Sequence, residues 1–386
     1  MAKILCNYFG FSMAAEGKSE FVGRQAAAFL GYVQQDAERC AEDLSDAPEE
    51  IKREILRNDE ELRRREQTAP GVEHDVVAIY DNAGIPSIMH RFRRVTNKEL
   101  FGGSDAVHPA FIIGGEVYDE IYISVYENTM INGKPYSLPL QEPVTNITME
   151  DFAQACFSKG EGWHCLTAAE WGLLADTSLK LGTLPHGNTN CSHWHGDDKE
   201  QGIIIGDSYK TLTGSGPATW THDHTVSGVH DLCGNIWEFA RGVRIRDGAL
   251  WAAENNDAAL PETDLTECGD GWKPITDAEG HPLYVAVEDD KITFNTYPSV
   301  HRDYCGCVWG NVRMNCDSEQ LRALALFAGE EKAGCYVDST EGEYILVRGG
   351  YWYDGGAGVF YSSLYYPRSR ANGGLVGGRS AYFKKH

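Results

Sequence analysis

Hydrophobic spacing along the chain changes character near residue 104. Upstream, "EFVGRQAAAFLGYVQQDAERCAEDL" sets Phe21, Ala28, Phe29, Leu30 and Val33 near one face of a helix. "DAPEEIKREILRNDEELRRREQ" opens with Pro48 and acids, the pattern of a second helix start. The stretch from about Glu20 to Thr68 therefore predicts a helical hairpin broken at "SDAP", its dense alternating charge reading as a solvated face. "HDVVAIYDNAGIPSIMHRFRRV" predicts a short strand, a turn and another strand. Residues 1–104 thus read as a small mixed module, without recognisable chemistry.

Beyond Ser104 the pattern is one of short strands rich in Gly, Trp and Tyr. "HPAFIIGGEVYDEIYISVYENTMINGKPYSLP" alternates apolar and polar residues around Gly114 and Gly115, as a hairpin does. Two helices follow, one capped at Thr148 with Asp151 in its first turn, the other starting at Thr167 with Glu170 three residues on, a capping box. Strand pairs, then helices, then strands to the end predict an α+β domain over 105–386 rather than a doubly wound sheet. The stretch 244–343 is long for a connection and reads as an insertion with short strands of its own. Neither a P-loop nor a dinucleotide-binding loop is present in the sequence.

Near the C-terminus, "RGGYWYDGGAGVFYSSLYYPRSR" concentrates tyrosines among Ser, Gly and Asp. In its strand-like part, Phe360, Ser362 and Leu364 alternate with Tyr361, Ser363 and Tyr365, so one face packs and the other is displayed. Tyrosine offers large contact area at low conformational entropy, and Ser, Gly and Asp offer adaptable polar contacts, the mixture used by antibody loops. The plainer alternative is that these rings cover a sheet edge or seal the N-terminal module.

Composition narrows the function. A formal net charge of −23 over 386 residues repels polyanions on average, which argues against nucleic acid as a partner. The opening "MAKILCNYFGFSMAAEGKSE" has an apolar run too short for a signal peptide, and no segment approaches the length of a membrane helix. The expectation is a protein without an export signal of its own, in the cytoplasm or in a virion, with no direct membrane insertion. Eleven scattered cysteines read as mostly reduced and structural. Two local groups, Cys305 with Cys307 and Cys191, His193 and His195 with His222 and His224, contain metal-ligand types but lack the spacing of a zinc site, so polar loop residues are the better reading.

Three ordered motifs, "GWHCLTAAEW" (162–171), "SGVHDLCGNIWEFARG" (227–242) and "VRGGYW" (347–352), resemble the C-type-lectin-like domain of the formylglycine-generating-enzyme, or sulfatase-modifying-factor, superfamily. Each has a structural reason: Gly234 and Asn235 suit a tight turn, Trp237 fills a core, and Gly349 and Gly350 allow close strand approach ahead of Trp352. The family's oxidase branch uses a C-terminal cysteine pair that binds copper, whereas the last cysteine here is Cys335. Its sulfoxide-synthase branch carries a His-x-x-x-His-x-Glu motif that this sequence lacks. The resemblance therefore implies the fold without the enzyme's residues, and it allows a structural calcium ion without assigning ligands.

The segment 348–383 resembles the variable region of diversity-generating-retroelement proteins, which take the same fold and bind receptors or other ligands. In that family adenines of a template repeat are copied with errors, turning Asn-type codons into Tyr, Ser, Asp, Gly and others. The resemblance implies a ligand-binding surface formed by Tyr351, Tyr353, Asp354, Tyr361, Ser363, Tyr365, Tyr366, Arg370, Gly373 and Gly374. It implies that Arg348, Pro367, Arg368 and Arg379 are framework, that the partner is a variable protein or cell-surface ligand, and that no catalysis is needed. The alternative is an enzyme of the superfamily using His193, His195, Cys305 and Cys307.

Overall fold

The computed structural model describes residues 75–369 and 374–385, with the backbone of Ala2–Tyr8 and Phe11–Gly17, which pair antiparallel. The helical hairpin expected between Glu20 and Thr68 lies outside the described residues, as do Arg370 and Gly373 of the expected binding surface. The rest is α+β as expected, mostly strands with few helices.

The local signals read from the sequence form as expected. Val76–Tyr80 pairs with Pro86–Arg93, and Ile112–Ile113 with Glu116–Val117 around Gly114 and Gly115. Thr148 caps Met149–Phe157 by accepting from Asp151 N, and Thr167 with Glu170 closes a full capping box on Ala168–Leu181. That box is buried and does more than end a helix: the Glu170 carboxylate also takes His164 Nε2 at 2.8 Å and Asn256 Nδ2 at 3.1 Å. Each oxygen that burial would leave costly is thereby satisfied.

The strand pair grouped above with the N-terminal module belongs elsewhere. Pro86–Arg93 pairs with Glu120–Ser124, which pairs with Ser380–Tyr382, which pairs with Trp163–Cys165, giving a five-stranded sheet ending on Val76–Tyr80. The expected boundary at 104 therefore cuts through a sheet. Apolar residues on these strands, Ile88, Met89, Ile121 and Ile123 among them, are buried in it, which fixes the pairing because a one-residue slip would turn them outward.

Most of the remaining strands join one eleven-stranded sheet, in the order 304–308, 334–338, 358–367, 343–349, 237–246, 249–253, 284–288, 291–295, 313–314, with 272–274 and 376–377 paired at its side. The stretch 244–343 is thus an extension of this sheet: its strands flank the motif-bearing strands on one side and return on the other to lie beside Gly358–Pro367. No helix among the described residues is long and apolar enough to cross a membrane.

Candidate functional site: an aromatic array on one sheet face

The strand Gly358–Pro367 is held rigidly from behind. Trp171 Nε1 donates to the Val359 carbonyl at 2.7 Å, and Trp309 Nε1 to the Phe360 carbonyl at 2.8 Å; both indoles are fully buried. Phe360 and Leu364 enter the core as expected, Phe360 packing edge-on to Phe327 at 5.1 Å. Between them Arg348 is buried, donating to Ser362 Oγ and to the Leu324 and Ala325 carbonyls that end the helix Glu319–Ala323. Burial pulls its guanidinium down to about 9, since a carbonyl cage compensates a buried cation less fully than a carboxylate.

The three motifs converge on this strand. Gly234 N donates to the Gly349 carbonyl at 3.0 Å and Trp352 N to the Asn235 carbonyl at 3.1 Å. Gly234 and Asn235 both take positive φ, 77° and 60°, the tight turn expected of them. Arg379 is sealed in the core by a two-oxygen ion pair with Glu238, Nε at 2.6 Å and Nη2 at 2.5 Å, and Arg368 clamps Glu343 in the same way at 2.7 and 2.8 Å. Both arginines, with Arg348, take the framework role expected of them; Pro367 is exposed.

The opposite face carries the rings. Pairing places Tyr304, Gly306, Gly334, Tyr336, Asp338, Tyr361 and Ser363 on one side of three adjacent strands, with Trp237 on the same side further in. Tyr336 stacks parallel to Tyr361 at 5.6 Å, and Tyr361 meets Trp237 edge-on at 4.6 Å. Trp237 in turn contacts Tyr366 and Tyr351, while Tyr304 meets Tyr365 at 5.4 Å. From Tyr351 the contacts run through Trp352 to Tyr353 and to Tyr209. These ten rings form one continuous array, with the offset and edge-on geometries that aromatic quadrupoles favour.

Two glycines make room for it. A Cβ on Gly306 would lie 2.2 Å from the Tyr336 ring, and one on Gly334 2.4 Å from the Tyr361 ring. The two stacked tyrosines thus lie flat on bare backbone, a contact that no other residue type permits.

The array is less exposed than the alternation implied. Tyr353 is 62% exposed, and Tyr209 and Tyr304 about half, but Tyr361, Ser363 and Tyr366 are buried, and Tyr351, Asp354, Tyr365 and Gly374 are half-buried. Two physical reasons correct the expectation for the buried three. Tyr361 and Ser363 sit at the centre of the sheet, covered by neighbouring rings. Tyr366 joins them because the strand carries an extra residue: Ser363 faces Val347 while Tyr366 faces Ile345, so two residues oppose one. Such a bulge brings neighbouring side chains together, and the Tyr365 and Tyr366 rings lie 4.5 Å apart. Trp352 is half-buried and belongs to the array.

Asp354 completes the site from its loop. Its carboxylate accepts from Gly356 N at 3.1 Å and hydrogen-bonds Tyr361, and burial pushes its pKa up. Burial and Asp354 together push the Tyr361 hydroxyl up as well, so it stays a neutral donor. The loop is pinned to the 186–216 stretch, Cys191 N donating to the Trp352 carbonyl at 2.8 Å and Asp354 N to that of Thr189 at 3.1 Å. Tyr209, Tyr304 and Tyr336 were absent from the expected surface because non-local pairing alone brings them there.

The metal-ligand types do not assemble. His222 is a core residue, its Nδ1 accepting from Val229 N at 2.9 Å, and burial pulls it down to about 3. His224 donates to the Leu184 carbonyl, and His195 pairs with Thr189 Oγ1. Cys305 and Cys307 point away from the array, and burial raises both thiols, the opposite of what a nucleophile or soft-metal ligand needs. Among the described residues, the one trio with ligand atoms within 4.8 Å is Asp277, Glu279 and His281, at the surface. Calcium takes six to eight oxygens. In the buried acidic group of Glu127, Asp231 and Glu238, Arg379 binds Glu238, while Glu127 and Asp231 each keep one unpartnered oxygen.

Set against known families and curated proteins, the chain matches no family model and no curated protein.

Proposed function

We propose that the protein is a ligand-binding protein with a C-type-lectin-like fold, whose aromatic array is the binding surface and whose C-terminal segment is a retroelement-diversified region. The observation that carries this reading is the gathering of every tyrosine of 351–366 into one array, on a strand fixed from behind by two indole–carbonyl bonds and a buried arginine. A surface that must change needs a scaffold that does not depend on it, and the framework residues meet that need. Clusters of Tyr and Trp at partly buried positions are also where binding energy concentrates. The ligand is a variable protein or a cell-surface molecule, such as the receptor of a phage or virus, and no catalytic step is required.

Buried positions narrow the freely variable set. Tyr351, Tyr353, Asp354 and Tyr365 can change at low cost and Gly374, at φ 89°, only with backbone strain, whereas Tyr361, Ser363 and Tyr366 are anchors of the array. Sequencing the locus tests the reading. It predicts a reverse-transcriptase gene nearby and a near-identical template repeat that differs at adenines in codons of the first set and matches at those of Arg348, Phe360, Leu364 and Arg379. A locus with neither would overturn it.

A further inference from the structure

We infer that the ligand of the array is cationic, a partner protein that presents arginine side chains; this rests on the binding role proposed above. Two carboxylates stand among the rings. Asp338 lies directly across the strand pair from Tyr304 and on the same face as Tyr336. At the other end, Asp354 bonds Tyr361, and its charge is felt at Tyr351. Neither acid has a cationic partner among the described residues: Asp338 accepts from Thr340 and from the Tyr344 hydroxyl, and Asp354 is held by Gly356 N and Tyr361.

Elsewhere in the molecule some buried acids are tied to cations and others, Glu127, Asp231 and Glu330 among them, keep an unpartnered oxygen. Glu343 holds Arg244 and Arg368, and Glu238 holds Arg379. In a chain of net charge −23 open carboxylates are common, and these two are set apart by the rings around them.

Ring faces attract cations through their quadrupole, most strongly where water is excluded. A planar guanidinium suits such a face best, because it stacks on a ring while its edge donates to a carboxylate. A carboxylate-bearing ligand would meet repulsion from Asp338 and Asp354, and an uncharged one would forgo both contributions.

The test uses the full chain and two synthetic peptides, Gly-Arg-Gly-Arg-Gly and its citrulline counterpart, which keeps the shape and loses the charge. Binding is read from intrinsic fluorescence and from tyrosine ring resonances. The arginine peptide should bind about tenfold or more tighter than the citrulline peptide, a preference that 0.5 M salt reduces. Asp338→Asn with Asp354→Asn should abolish the preference, with a melting curve confirming the fold. Tyr304→Ala and Tyr353→Ala, both at exposed rings, should weaken arginine binding on their own. Equal binding of the two peptides at the array would overturn the cationic ligand and leave the binding surface standing. Failure of the arginine peptide to bind, or binding that none of these changes affects, would also overturn it. Loss of the binding role itself is read separately, from the locus.

Discussion

The two faces of the strand Gly358–Pro367 are built by opposite rules. Toward the core, Phe360, Ser362 and Leu364 meet indoles, an arginine and a helix end, and the Ser362 hydroxyl is tied to Arg348 and to the Phe360 carbonyl. Toward the other side, Tyr361, Tyr365 and Tyr366 meet mainly other rings, Ser363 Oγ has no partner, and exposure rises from the centre toward Tyr304 and Tyr353. One face ties the strand to the core through fixed bonds, and the other holds buried ring anchors at its centre and exposed rings toward its margins.

The largest expected effect breaks the framework. Arg379→Met would leave Glu238 buried without its partner and should cost about 3–5 kcal/mol in urea unfolding. Adding Glu238→Gln should recover part of that loss; no recovery would mean that Arg379 acts through its bonds to the Ser124 and His230 carbonyls instead. Phe360→Ala on the core face should cost about 3–5 kcal/mol through the cavity it opens, and a loss below about 1 kcal/mol would undo the contrast between the faces.

A pH effect sharpens the same contrast. Glu330 lies against Gly358 on the core side, with Oε2 unpartnered, and burial raises its carboxyl from 4.5 to about 7. The folded state therefore holds this proton more tightly than the unfolded chain does. Its contribution to stability is fully present below pH 4.5 and is lost as pH rises toward 7, at up to about 1.4 kcal/mol per pH unit. Urea midpoints at pH 5 and pH 7 should differ less in Glu330→Gln than in the unaltered protein; equal differences would show that Glu330 is not held as described.

The smallest effects are expected at the exposed rings. Tyr353→Ala and Tyr304→Ala should each shift stability by less than about 0.5 kcal/mol, measured by thermal melting. A loss comparable to that of Phe360→Ala would make these tyrosines part of the core.

Much of this was legible in the chain. The caps at Thr148 and Thr167, the turn at Gly234 and Asn235, and the inward Phe360 and Leu364 are short-range features, written within a few residues of where they act. What was not legible depends on contacts remote in sequence. Period-two alternation could not place Tyr366, because the two-against-one pairing with the strand Glu343–Gly349 arises only in the assembled sheet. Nor could it place Tyr304 and Tyr336, whose strands come from the long 244–343 stretch and reach the array by pairing next to Gly358–Pro367. The same limit misplaced Val76–Arg93: its hairpin was evident, but its pairing with Glu120–Ser124 was not.

One measurement tests the contrast most directly. Two libraries, one randomising Tyr351, Tyr353, Asp354 and Tyr365 and the other randomising Phe360, Ser362 and Leu364, can be displayed and challenged with protease to count members that fold. The account predicts that most of the first library survives and that few members of the second do. Comparable survival in the two libraries would contradict it.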